Sequence, residues 1–397
     1  MKNILRILLA LLTGIAPSLS QLQFSGKFDF PVGEGPTSLA IGDLNGDGLT
    51  DIVTANYKAN SISLLIGTMV ADSSSPSFLQ KRDLPAGENP MAVAVADLNG
   101  DGRPEIIAAN YLSNSISVFV NTTPKGSKTP VFAARKDVPT GERPYWIAVA
   151  DLNGDGKPDL IVVDYKSTAV SVFLNATAPG DSSFSLGERV DLPAQARPTS
   201  AAVADFNGDG KADIVVTNYR SDSLSLFLNE TPQGALRPSF SRPLIFAAGT
   251  RPIAVAATDL NGDGRPDILV ADDGANAVRV LMNGTAKEGG EPSFEMKAEL
   301  LTGLNPQFVY STHLNNEAMP GVLTADYNSG VLSVFLNTTR RGDDEPSFSP
   351  RREVKTGTAP SSIAVGPRRG VPGEILYVAN YGSNSVSVIV FRSGAGE

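Results

Sequence analysis

The nine residues DLNGDGRPD (259–267) recur in near copies at 43–51 (DLNGDGLTD), 97–105 (DLNGDGRPE), 151–159 (DLNGDGKPD) and 205–213 (DFNGDGKAD). Two further places where a copy is due read HLNNEAMPG (313–321) and GPRRGVPGE (366–374). The prolines Pro36, Pro90, Pro144, Pro198, Pro252, Pro306 and Pro360, each ahead of an apolar run, fall 54 residues apart. The residues Asn56, Asn110, Asp164, Asn218, Asp272, Asp326 and Asn380, which close the next run, keep the same spacing. A period of this length marks a repeat architecture in which each unit buries its apolar face on its neighbours. Seven repeats cover about residues 24–392 without a linker or a composition break, so a single domain is read over 21–397.

Each repeat holds four short β-like runs, which in the second repeat are MAVAVAD (91–97), EIIAAN (105–110), SISVFVN (115–121) and VFAARKDV (131–138). They are rich in Val, Ile and Phe and are separated by clusters of Gly, Pro, Asn and Ser. No helical period appears after residue 20. The expected fold is therefore all-β: a seven-bladed β-propeller with four-stranded blades. An open solenoid would want atypical capping repeats, and the ends here match the middle. The repeats begin with a lone run, FSGKFDF (24–30), that aligns with a fourth strand, and end on a third strand, SVSVIVFR (385–392). The N-terminal strand is expected to complete the last blade and hide its edge.

Residues 1–20 read as a secretory signal peptide: basic Lys2 and Arg6, an apolar stretch from Ile4 to Ala16, and small Ser18 and Ser20 before a cut at Gln21. The alternative is an N-terminal anchor, but the run is short for a bilayer span and no other run qualifies. The expected location is secreted: extracellular, periplasmic or at the cell surface. The chain has no cysteine, which suits a bacterial exported protein. Its formal charge is −9, and removing 1–20 takes away two positive charges and no negative one, giving −11. An acidic chain without basic clusters argues against nucleic acid or anionic lipid as partner. A single histidine, His313, argues against a histidine-rich metal site or a Ser–His–Asp triad.

The repeated loop places side-chain oxygens at positions 1, 3, 5 and 9 and a carbonyl at 7, with glycines at 4 and 6 for the turn. An all-oxygen set of this kind suits Ca²⁺. The candidate ligands are Asp43, Asn45, Asp47, Leu49 and Asp51; Asp97, Asn99, Asp101, Arg103 and Glu105; Asp151, Asn153, Asp155, Lys157 and Asp159; Asp205, Asn207, Asp209, Lys211 and Asp213; and Asp259, Asn261, Asp263, Arg265 and Asp267. About five calcium ions are expected, one per loop. The first half matches an EF-hand loop, but the EF-hand's closing Glu at position 12 is absent, with Thr54, Ala108, Val162, Val216 and Val270 there. A metal-free Asn-Gly turn is the alternative. The sixth loop keeps only Asn315 and Glu317 and the seventh carries Arg368 and Arg369, so neither is expected to hold an ion. His313 is read as a turn residue.

Strand, D-x-[DN]-G-D-G-x-x-D, then a short apolar strand, repeated sevenfold, resembles the FG-GAP/VCBS repeat family, which includes the integrin alpha-subunit propeller. The resemblance implies calcium at the five loops and, loosely, a binding or adhesion role. Where that family has Gly-Ala-Pro after the second strand, this chain has Ala55-Asn56-Tyr57, Ala109-Asn110-Tyr111 and Thr217-Asn218-Tyr219. YVANYGSNSVSVI (377–389) also resembles bacterial YVTN-type propeller repeats.

The acidic loops are expected on one face of the ring. The opposite face carries Tyr57, Tyr111, Tyr165, Tyr219, Tyr327 and Tyr381. Two residues after the repeat proline stand Ser38, Ala92, Trp146, Ser200, Ala254, Phe308 and Ser362, so Trp146 and Phe308 break a run of small residues. With Arg143 and Tyr145 they form a candidate site for a glycan or a protein ligand; the alternative is a core plug. The sequons at Asn121, Asn175, Asn229, Asn283 and Asn337 are read as repeated turns, and Arg341-Gly342-Asp343 as a chance tripeptide. The expected function is a monomeric, secreted, calcium-binding adhesion module without catalytic residues. The alternatives are a lactonase- or lyase-like enzyme, with Asp272 and Asp273 as its carboxylate pair, and a purely structural surface protein.

Overall fold

The computed structural model describes residues 23–68, 75–178, 181–286, 288–314, 319–367 and 374–392. The expected signal peptide and the degenerate-loop residues Asn315, Glu317, Arg368 and Arg369 lie outside them. The described residues form seven antiparallel four-stranded sheets. In the first blade the strands are Pro36–Gly42, Asp51–Asn56, Ser61–Leu65 and Arg82–Pro85, from axis to rim. The first strands of successive blades touch one another around a closed ring, with blade 7 meeting blade 1.

Why the sequence does this is visible in burial. The second strands are buried at every residue in blades 1 to 6, on both faces, because each blade is sandwiched between two others. That demands near-continuous apolar runs such as DIVVTN. The core is accordingly seven cores, one in each gap between blades; Val53, Ile62 and Leu64 of blade 1, for example, pack on Val93, Ile106 and Phe119 of blade 2.

The last blade is Pro360–Pro367, Glu374–Asn380 and Ser385–Arg392, completed by Gln23–Pro31 in antiparallel register from Gln23↔Arg392 to Pro31↔Ser385. Side chains confirm the equivalence. Ser387 Oγ donates to Asp29 at 2.6 Å, as Ser63 does to Asp83, Ser117 to Asp137 and Ser171 to Asp191 within single repeats. One expectation needs correction. The outer strand of blade 2 runs Lys136–Pro139, not 131–138, and Phe132 makes only an isolated bridge to Asn121. The outer strand is mostly exposed, so no neighbouring blade enforces one continuous register.

Candidate functional site

The five acidic loops share one hydrogen-bond pattern. In the first, Asp43 accepts the backbone N–H groups of Gly46, Asp47 and Gly48 at 2.7–3.1 Å. Gly46 and Gly48 sit at φ 75° and 77°, where a side chain would be strained. Asp51, at position 9, accepts from Leu44 N at position 2 and from Gly67 N beyond the third strand, both at 2.8 Å. Glu105, Asp159, Asp213 and Asp267 repeat the bond to position 2 at 2.8–2.9 Å. Burial pushes these ninth-position acids up: Asp51, Glu105 and Asp267 to about 7, Asp159 and Asp213 to about 6. The backbone N–H bonds oppose the shift, and the carboxylates at positions 1 and 5 add to it. At position 7, Arg103 and Arg265 turn back onto Asp101 and Asp263 and hold them below the usual carboxylate range, against the opposing effect of burial.

Among the described residues, no three acidic or histidine side chains are gathered closely enough to hold a metal ion in this arrangement. The donor chemistry nevertheless fits a hard cation. Each loop offers carboxylate, amide and carbonyl oxygens, and its ninth-position acid is pushed toward protonation by burial first and by two like charges in addition.

The loops are also joints between blades. Asn121 of blade 2 donates its Nδ2 to Leu44 O of blade 1 at 2.9 Å and to Pro104 O of its own blade. Asn175, Asn229, Asn283 and Asn337 reach Leu98, Leu152, Phe206 and Leu260 in the same way at 2.8–3.0 Å. In blades 2 to 5 the Asn N–H is held by the ninth-position acid of its own blade. A hydrogen-bonded belt thus passes from acid to loop peptide to asparagine, from blade 1 to blade 6. The Thr two residues on donates its N–H to each Asn Oδ1 at 2.9–3.0 Å, which aims Nδ2 at the neighbour. The Asn-x-Thr pattern therefore serves an orienting turn, and all five asparagines are buried.

A second contact reinforces the joint. Gly342 N donates to Asn261 O at 2.7 Å, Asn261 Nδ2 to Asp343 O, and Arg341 Nε to Gly262 O. Arg341-Gly342-Asp343 is thus seated on the fifth acidic loop, as Gly234 and Ala235 are seated on Asn153 of the third. At the belt position the two remaining blades have Gly67 and Phe391. Those blades follow the two degenerate loops, so both halves of the joint are lost together.

On the opposite face the tyrosines form an arc. Tyr57–Tyr111, Tyr111–Tyr165 and Tyr327–Tyr381 have ring centroids 5.9–6.3 Å apart, across adjacent blades. Tyr145 stacks on Tyr165 at 5.5 Å. Arg143 lies over Tyr111, Arg197 over Tyr165 and Lys58 over Tyr381 at 4.9–5.3 Å. Trp146 and Phe308 belong to blades 3 and 6, nearly opposite in a ring of seven, yet their centroids are 5.6 Å apart. They meet on the axis and close it. Above them is a cavity of about 250 Å³, lined also by Tyr145, Tyr327, Tyr381, Asn305 and Gln307. Of the four candidate ligand residues, Tyr145, Trp146 and Phe308 line it; Arg143 stays on the rim, bound to the Tyr111 hydroxyl.

The carboxylates Asp272 and Asp273 do not act as a pair. Asp272 is fully buried against Arg279 Nε at 3.0 Å, while Asp273 faces Asn305, Tyr219 and Arg251.

A family model described as FG-GAP-like repeat matches residues 43–108, 98–162, 151–216 and 206–270, together more than half of the chain. The chain belongs to the FG-GAP repeat family. Two curated relatives are both named T-cell immunomodulatory protein homolog. That from Plasmodium yoelii yoelii is 26% identical over 58% of this chain and 37% of its own length. That from Plasmodium falciparum (isolate 3D7) is 24% identical over 58% and 36%. The FG-GAP chain thus spans little more than a third of the relatives it matches.

Solved structures share the ring alone. BBS1N, crystallised in complex with ARL6DN, has TM-score 0.60 at 12% identity, covering 95% of this chain and 99% of its own. Virginiamycin B lyase from Staphylococcus aureus gives 0.55 at 11%, covering 92% and 99%. A putative 6-phosphogluconolactonase from Bacteroides fragilis gives 0.55 at 18%, covering 82% and 86%.

The FG-GAP matches stop at residue 270, one blade short of where the acidic motif fails. Sequence reasoning singled out Trp146 and Phe308 but not Asn305 or Gln307. The signal for Asn305 was available: the residue it holds, Asp273, is the single break in the tyrosine series.

Proposed function

We propose that this FG-GAP propeller is an exported binding module whose ligand, a glycan or a protein side chain, enters the cavity on the tyrosine face. The observation that carries this reading is the coincidence of the cavity with the two places where the repeat breaks its run of small residues, Trp146 and Phe308, with Tyr145 beside them in the wall. A structural ring needs only small residues there. Aromatic walls with a few polar groups are what a small-ligand pocket uses. The test is binding of the chain without residues 1–20 to a glycan array and to extracellular proteins. Binding is expected to disappear in Trp146→Ala while the unfolding transition is kept. Binding that survives this substitution places the ligand elsewhere.

Calcium belongs to the same proposal. Asp43, Asn45, Asp47, Asp51 and the Leu49 carbonyl would hold the first ion, and the corresponding residues of the next four loops the others. The ion's contribution is charge: fifteen loop carboxylates face no comparable set of cations. The relatives are named for T-cell immunomodulation, a role that would extend to this chain only through its own ligand. Catalysis is the weaker reading, since Asp272 and Asp273 are each committed to their own partners.

A further inference from the structure

We infer that the tyrosine-face cavity takes a neutral, hydroxyl-rich ring, a single pyranose unit at the end of a glycan; this rests on the cavity being the binding site. Five aromatic rings line the cavity, and no formal charge does. Such a lining has three candidate guests: an organic cation, an apolar side chain, or the C–H face of a sugar. The rim disfavours the cation. Lys58 already lies over Tyr381, one of the lining rings, and Arg143 and Arg197 over Tyr111 and Tyr165 on the same face outside the lining, so a further positive charge is repelled. The polar lining disfavours the apolar side chain. The hydroxyls of Thr37, Thr199 and Ser361 in the wall are already bonded within the ring, but the Asn305 and Gln307 amides also line it, and a guest without hydrogen-bonding groups would strip water from those amides unrepaid.

Asp273 sharpens the choice. It stands where six other blades have tyrosine, its side chain is 9% exposed, and Arg251 Nε lies 3.6 Å from Oδ2. The Tyr219 hydroxyl donates to the same oxygen at 3.3 Å, and Asn305 Nδ2 donates to Oδ1. A carboxylate only accepts, so it fixes which end of the Asn305 amide faces it. Oδ1 is left for the cavity, as an acceptor that asks the guest for a donor. A hydroxyl beside an aliphatic ring face meets both demands, and a volume of about 250 Å³ admits one hexose. Asp273 is then a positioning residue for Asn305.

Trp146 is the only tryptophan of the chain and lies in the cavity wall, so its fluorescence reports this site alone. The experiment titrates the chain without residues 1–20 with free glucose, galactose, mannose and N-acetylglucosamine. Tetramethylammonium and N-acetylphenylalanine amide stand for the other two guests. A saturable Trp146 response to at least one pyranose is expected, weakened about tenfold in Asn305→Leu, the loss of one hydrogen bond to the guest. Asp273→Asn should weaken it less and also blunt the discrimination between sugars differing at one hydroxyl, which loss of packing alone would not do. A response to tetramethylammonium or to the amide, with none to any pyranose, overturns the saccharide assignment and leaves the cavity as a binding site. Silence to every probe, with Trp146 still reached by acrylamide, overturns both.

Discussion

Asp164 stands where four blades carry asparagine. Asn110 shows what the position is for: its Nδ2 donates to Ser115 and Ser117, and its Oδ1 accepts from Gly87 N. Asn56, Asn218 and Asn380 keep the same serines five and seven residues on. Where aspartate replaces asparagine, the first of those serines is gone: Ala169, Ala277 and Val331 stand there instead, and the Nδ2 bond to it has no counterpart in a carboxylate. Asp272 is compensated by Arg279 and Asp326 by the Thr324 and Ser333 hydroxyls. Asp164 shares the single Ser171 hydroxyl proton with Asp191 and has a buried Oδ1 with no partner. Burial pushes it to about 7 from 3.8. The folded state therefore binds its proton more tightly than the unfolded chain. Its cost is absent below pH 4, grows as pH rises to 7 and is complete above. Asp164→Asn is expected to stabilise the ring at pH 8 by about 1–3 kcal/mol, with the gain gone at pH 4. Denaturant unfolding at the two pH values decides it. A loss at pH 8 would mean that the aspartate is satisfied.

At the scale of elements, the joint between blades couples two segments 77 residues apart. Asn229→Ala is expected to cost about 1–3 kcal/mol, because it leaves the Leu152 and Ala212 carbonyls without their donor. Hydrogen exchange should rise both in its own turn and in the 151–159 loop of the blade before. A change confined to blade 4 would break the joint argument. Because the Asn side chains are buried and bound, expression in a glycosylating host should leave all five sequons unmodified in intact-mass measurement; a glycan there would contradict the belt. Much of this level was readable from sequence. The period gave the blades, and alternation gave the strands. The joint was not readable, since its halves lie one repeat out of register and the Asn-x-Thr pattern looks the same for a turn as for a glycan acceptor. The outer strand's true start was hidden for a related reason: an exposed strand is not pinned by its pattern.

For the whole molecule, the belt explains why the acidic motif appears five times and fails twice. The loops of blades 6 and 7 face blades whose belt position is Phe391 and Gly67, and a side chain at Gly67 would meet Thr50 O at 2.6 Å. The join of blade 7 to blade 1 is instead made by the pairing of residues 23–31, which lead into blade 1, with 385–392 of blade 7. Deleting 21–30 should lower the melting temperature of the entire ring in one transition; an unchanged melting temperature would refute the closure. The same asymmetry predicts that native-state hydrogen exchange opens first across blades 6, 7 and 1. Uniform protection around the ring would contradict it. The propeller, its closure and the candidate calcium ligands were legible in the repeat itself. The cavity's polar edge was not, because it arises from residues of different blades that only the closed ring brings together. The most direct test of the account is calorimetric titration of the metal-free chain with Ca²⁺. Five ions per chain is the predicted stoichiometry, one for each of the loops beginning at Asp43, Asp97, Asp151, Asp205 and Asp259. No binding would reduce the loops to plain turns, and seven ions would show that the motif is not what binds.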